Sequence, residues 1–225
     1  MIQQHPSKIH KADFRTVIST NSYWRFASLF VENSEKSEGN VLKNIKKFDE
    51  ITLQVNSTFS YQSAKNQQIL VIPIVGAVDF FSDNENGFVH TNQIQFLQNK
   101  KGKEIVFKNP YESELVSFIL VEIEGYQSNT LLEFDLTETN QLVTLFDTKE
   151  IKMSIGIFDA RAEGIYKLQP NNGVFTFVIS GAFEFQNRLL EDRDALSIWD
   201  IDAIEFEALT QNSLLIIIET EINSD

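Results

Sequence analysis

ILVIPIVGAVDF at Ile69–Phe80 and VFTFVISGAFEF at Val174–Phe185 decide the fold of this chain. The two stretches align with Gly-Ala, an acid and a final Phe in the same places, and their glycines, Gly76 and Gly181, stand 105 residues apart. That interval is the length of a small domain rather than of a solenoid unit, so the 225 residues read as two copies of one fold. Each copy is a near-continuous apolar run that passes into alternation, which suits a barrel strand. Glycine weakens a strand interior and marks a bulge or bend, so Gly76 and Gly181 predict corners.

Outward from the first copy, short strand patterns recur at intervals of about ten residues. They cover Phe26–Val31, Val41–Ile45, Ile51–Val55, Phe88–Thr91, Ile94–Leu97, Glu104–Phe107 and Leu115–Ile123. The Asn-Gly pair at Asn86–Gly87 predicts a hairpin return. Glu124–Asn129 is linker-like, and Leu131–Asp147 has no decisive period, which places the domain junction there. The second half repeats the order through Met153–Phe158, Ile165–Leu168, the second copy, Arg188–Leu190, Ala195–Trp199, Ala203–Phe206 and Leu214–Glu219. The expected architecture is all-β, two antiparallel barrels in tandem, with domains at 12–125 and 148–222 and a junction at 126–147. The first ten residues predict a frayed tail or a strap across the surface.

Composition sets bounds. A chain that is 42% hydrophobic and 23% charged, with 19 Phe against 9 Gly and 4 Pro, reads as globular with a well-filled interior. The net charge of −13 repels a phosphate backbone, and the densest basic cluster, Lys43, Lys46 and Lys47, is too small to offset it, which argues against direct nucleic-acid binding. There are no cysteines, hence no disulfides, thiolate ligands or Cys nucleophile. Met1–Asp13 has no signal-peptide run and Leu214–Ile218 is too short to span a bilayer, so the expectation is a cytoplasmic protein without a membrane partner. The acid clusters Glu191, Asp192, Asp194 and Asp200, Asp202 read as solvated turns in a chain with 32 acidic residues.

The second half resembles a cupin. FTFVISGAFEF, Gln186-Asn187, Leu190–Trp199, Ile204–Glu207 and the closing LLIIIE are similar to the C-terminal half of the pirin family, with Arg193-Asp-Ala195 where Gly-Asp-Ala is usual. In the first half, Trp24–Asn33 resembles that family's opening segment and Asn92-Gln-Ile-Gln95 its Gly-Asp-Val-Gln turn. The resemblance covers about residues 12–222 and implies a bicupin, two tandem cupin-type barrels. It also implies one iron or similar metal in the N-terminal barrel, held by His-x-His before the first repeat strand and by a His and a Glu on a later strand. Some members resemble quercetin dioxygenases and others act as transcriptional co-regulators.

Counting back from Gly76 puts the His-x-His positions near Gln62 and Ala64, and the later segment, Lys103–Asn109, holds Glu104 but no His. The same interval from Gly181 gives Lys167 and Gln169. Only three His are present, and His5 and His10 fall in the tail, leaving His90, read as a surface or partly buried strand residue. Non-heme iron needs several imidazoles or carboxylates at one point. No catalytic, cofactor-binding or metal residues are therefore predicted, and no cofactor. The expectation is a pirin-like bicupin without its metal site, serving as a binding or interaction module for a small apolar molecule or a protein. Its candidate pocket is the first barrel's mouth, at Tyr61, Gln62, Gln68, Glu104 and Phe107. The alternative is a quercetin-dioxygenase-type enzyme using iron or another divalent metal held by atypical ligands such as His90 and Glu104.

Overall fold

The structure, a computed structural model, describes residues 5–29, 41–63, 65–83 and 85–223. In chain order the strands are β1 (Ser7–His10), β2 (Thr16–Ser19), β3 (Tyr23–Leu29), β4 (Ile45–Leu53), β5 (Thr58–Gln62), β6 (Gln67–Val75), β7 (Ala77–Phe81), β8 (Asn86–His90), β9 (Gln93–Asn99), β10 (Glu104–Lys108) and β11 (Val116–Ile123). They continue as β12 (Leu131–Glu133), β13 (Val143–Asp147), β14 (Ile151–Phe158), β15 (Glu163–Lys167), β16 (Asn172–Ser180), β17 (Phe183–Phe185), β18 (Arg188–Leu190), β19 (Ala195–Ile198), β20 (Ala203–Ala208) and β21 (Ser213–Glu221). A 3-10 turn at Ala12–Phe14 is the only helical element among the described residues. Among them no helix is long and apolar enough to cross a membrane.

The chain divides into two compact units, one of residues 16–35 and 45–134, the other of residues 1–15, 36–44 and 135–225. In the first, a seven-stranded sheet β12-β9-β6-β11-β4-β3-β2 faces a four-stranded sheet β5-β10-β7-β8. In the second, a six-stranded sheet β1-β19-β16-β21-β14-β13 faces β15-β20-β17-β18. The orders β9-β6-β11-β4 and β19-β16-β21-β14 correspond, as do the two four-stranded sheets. Each unit is thus a flattened cupin barrel of two sheets, without a hydrogen-bonded ladder closing the seams.

Gly76 and Gly181 are the corners. At φ 72° and 85° they carry the chain from β6 to β7 and from β16 to β17, out of the large sheet and into the small one. That left-handed conformation strains a residue bearing a Cβ. Between the sheets of the first unit lie Ile51, Leu53, Phe59, Ile69, Val71, Leu97, Phe107, Phe118 and Leu120, with Phe107 within 5.2 Å of Phe118 and 6.3 Å of Phe59 between ring centroids. In the second unit Phe206 meets Phe185 at 5.1 Å and Phe158 at 5.2 Å.

Several elements depart from the sequence reading. Val41–Ile45 and Ile51–Val55 are not two strands but flank or belong to the single long β4, because Lys47, Asp49 and Glu50 are buried within it rather than placed in a solvated break. The strand predicted at Phe26–Val31 begins earlier, at Tyr23, and its residues 30 and 31 lie outside those described, as does the loop 32–40. The tail is a paired edge strand: β1 runs antiparallel to β19, Ser7 opposite Ile198 and His10 opposite Ala195. Residues 126–147 are split between units, since β12 pairs with β9 and β13 with β14. Asp194 is no solvated turn residue: at 2% exposure it accepts hydrogen bonds from Lys11 Nζ at 2.5 Å, Ala12 N at 2.8 Å and Glu191 N at 2.9 Å, clasping the N-terminal segment.

Candidate functional site

Strand alternation determines what each barrel presents to its interior. On β5 the inward residues are Phe59 and Tyr61, and on β10 they are Ile105 and Phe107, paired Tyr61 to Ile105 and Phe59 to Phe107. Three of these four are hydrocarbons and one is a phenol. These are the strands on which the pirin resemblance puts the metal ligands, and the side chains they turn inward do not fit an iron centre. Among the described residues no group of three or more His, Cys, Asp or Glu is arranged to hold a metal ion.

The predicted pocket residues do not converge. Tyr61 and Phe107 face the interior, but Gln62 is exposed and donates from Nε2 to the Gly102 carbonyl at 2.6 Å. Glu104 is exposed on β10. Gln68 is buried on the opposite face of β6 from Ile69 and Val71, where Nε2 donates to the Leu97 carbonyl at 2.9 Å and Oε1 accepts from Ser128 N at 2.6 Å. The reason is parity: side chains one residue apart in a strand point to opposite faces, and the count back from Gly76 falls one residue away from inward-facing Tyr61. Ala64 lies outside the described residues. In the second unit Lys167 is exposed and Gln169 contributes its backbone N–H to Glu219.

His90 and Glu104 are also apart. His90 pairs with Ala77, while Val106 pairs with Phe81, which puts Glu104 at the level of position 83. Six residues at about 3.3 Å each separate them by roughly 20 Å along the sheet. His90 is exposed and its Nδ1 lies 2.7 Å from the Thr91 carbonyl.

What the first barrel does contain is a buried polar network. Tyr61 donates its hydroxyl to Glu122 Oε2, and the Lys47 ammonium sits 5.1 Å from the Tyr61 ring centroid. Arg25 Nε donates to the fully buried Asp49 at 2.7 Å. Two cations and two carboxylates balance, as buried charge requires. Burial, followed by the Glu122 charge, holds the Tyr61 phenol far above its ordinary range, so it remains a hydrogen-bond donor and offers no base. The second barrel repeats the motif: Tyr166 donates to Glu219 Oε2 at 2.7 Å, while Oε1 of the same carboxylate accepts from Gln169 N and Asn172 Nδ2, each at 2.7 Å. Burial again raises the phenol, and the Glu219 hydrogen bond comes second. Glu122 pairs with Ile69 and Glu219 with Val174, so the register is the same in both units. Tyr61 and Tyr166 stand 105 residues apart, the interval between Gly76 and Gly181, and this coincidence was a readable signal for the pair.

The comparisons with known proteins bear on the fold. Residues 148–219 match the family model described as the quercetinase C-terminal cupin domain. YhhW from Escherichia coli superposes with a TM-score of 0.83 at 15% identity, covering 98% of this chain and 100% of that one. A second structure, of bacterial pirin YhhW from Escherichia coli in complex with nickel(II), gives 0.81 at 15% identity, with coverages of 96% and 99%. Quercetin 2,3-dioxygenase from Acinetobacter baumannii gives 0.69 at 11% identity, covering 96% of this chain and 79% of that one. No curated protein sequence matches the chain. What these likenesses carry is the fold.

Proposed function

We propose that this chain, a pirin-type bicupin with a quercetinase-type C-terminal cupin domain, acts as a metal-free binding module rather than as an oxygenase. The observation that carries the reading is the inward set Phe59, Tyr61, Ile105 and Phe107. A divalent metal there would meet hydrocarbon and a phenol that burial keeps protonated, with neither imidazole nor carboxylate among the inward residues of those strands to replace its water. The aromatic stack of Phe59, Phe107 and Phe118 fills the barrel centre, which supports ligand binding at the polar mouth rather than in an apolar cavity. The roughly 20 Å between His90 and Glu104 weighs against an oxygenase built on that pair.

Elemental analysis of the purified full chain is the direct test. The expected content is well below one iron, nickel, manganese or zinc per chain, with no oxygen uptake on quercetin after each metal is added. A stoichiometric metal, or metal-dependent uptake, overturns the reading.

A further inference from the structure

The small sheet of the first unit turns one face to the core and the other to solvent. On the solvent face stand Phe81 of β7, 44% exposed, and Phe88 of β8, 50% exposed, with half-buried Val106 of β10 directly opposite Phe81 in the ladder. One step along the same two strands Lys108 is directly opposite Asp79, and among the described residues neither forms an ion pair. The face therefore has an apolar centre beside one exposed cation and one half-buried carboxylate.

The sheet order β5-β10-β7-β8 is symmetric about the line between β10 and β7. A two-fold axis parallel to that line lays the same face of a second copy on this one, at the spacing of about 10 Å that packed sheets adopt. Lys108 then meets the second copy's Asp79, and Asp79 meets its Lys108. Val106 and Phe81 meet in the same reciprocal way. At the rim, Glu104 comes against the ion pair of Asp83 with Lys103, 2.6 Å apart, which carries one charge of each sign. The face is thus complementary to itself in charge and in apolar surface, on a chain whose net charge is −13. The second unit provides the contrast. Its corresponding sheet, β15-β20-β17-β18, sets Glu207 opposite both Glu163 and Glu184. The same two-fold there would bring carboxylate onto carboxylate, and that face repels its own copy.

We propose that the outer face of β5-β10-β7-β8 is the interface of a homodimer of this chain. Four strands of five residues, about 4.8 Å apart with a rise of about 3.3 Å per residue, cover on the order of 300 Å² in each copy. A standard interface covers roughly 800 Å² per partner, so this dimer is weak and exchanges rapidly. The inference is separate from the metal-free reading of the barrel, because the face lies on the outside of the sheet.

The test is sedimentation velocity of the purified full chain over a concentration series that reaches the millimolar range. The natural chain is expected to pass from one copy to two as concentration rises. Asp79→Lys and Lys108→Asp are each expected to weaken association at least about tenfold, because each sets like charges face to face. Mixed in equal amounts, the two variants are expected to associate again, since one then presents two cations and the other two anions. The mixture isolates the contact between copies from any effect within one chain. Glu184→Lys, which alters the net charge as much as Asp79→Lys but lies on the second unit, is expected not to weaken association. A chain that stays single throughout the series leaves the face to a different partner and overturns the proposal. So does association that survives both single reversals, or a mixture that associates no better than its components.

Discussion

Arg193 has φ 66° in the turn where the pirin resemblance expects glycine, and Asn92 has φ 65° at the matching turn of the first unit. Asn tolerates this left-handed region better than Arg does. Arg193→Gly is therefore expected to raise stability by up to about 1 kcal/mol, read from the urea midpoint of the full chain. The residues that follow do the same work in both turns: Asp194 accepts from Glu191 N at 2.9 Å, and Gln93 Oε1 from His90 N at 3.2 Å. The paired tyrosines lend themselves to a matched comparison. Tyr61→Phe removes the hydroxyl that donates to Glu122, whereas after Tyr166→Phe the Glu219 carboxylate keeps Gln169 N and Asn172 Nδ2. A loss of about 1–3 kcal/mol is expected for Tyr61→Phe and a smaller one for Tyr166→Phe, by urea unfolding followed by circular dichroism. The tyrosines, their interval and the closing-strand acids were all visible in the sequence. Their contact was not, because it joins strands from opposing sheets.

At the scale of elements, the corners and the N-terminal strand carry the testable content. A Cβ on Gly76 would lie 3.1 Å from the Tyr111 ring as well as in the left-handed region. Gly76→Ala should cost more than about 1 kcal/mol, measured as a fall in the urea midpoint. On β1, His10 packs edge-on to Phe175 at 6.0 Å, with Nε2 3.0 Å from Ser197 Oγ and Lys8 on the same strand. Burial first, and the Lys8 charge second, pull its pKa from 6.5 down to about 4. The unfolded chain then takes up this proton before the folded one does. Stability from this group is unaffected above about pH 6.5 and is lost as pH falls from there toward 4. Lowering the pH from 7 to 5 should therefore reduce the urea midpoint of the natural protein more than that of His10→Gln. The corners were legible because only glycine reads as a break inside an apolar run. β1 was not, because its pattern SKIH is polar and takes its order from β19 and the Asp194 clasp.

For the whole molecule, the second unit is assembled from three separate stretches of chain, with Lys43 paired to Glu221 at 2.6 Å and Leu42 bridged to Ile222. Removing residues 1–12 should bare the β19 edge and lower the unfolding midpoint. It should also promote self-association, seen as faster sedimentation. The all-β class and the cupin-type plan were determined by the sequence alone, because hydrophobic periodicity and glycine placement are local properties of the chain. So were the small number of histidines, three, and the lack of cysteine, a matter of composition. The tertiary structure alone decided which of Tyr61 and Gln62 turns inward, that His90 and Glu104 sit far apart, that Asp194 is buried, and that Asn99 and Gln67 stand opposite each other with unpartnered amide atoms. Those are questions of register and facing. A shift of one residue reverses every side chain of a strand, and only pairing with distant strands sets that shift.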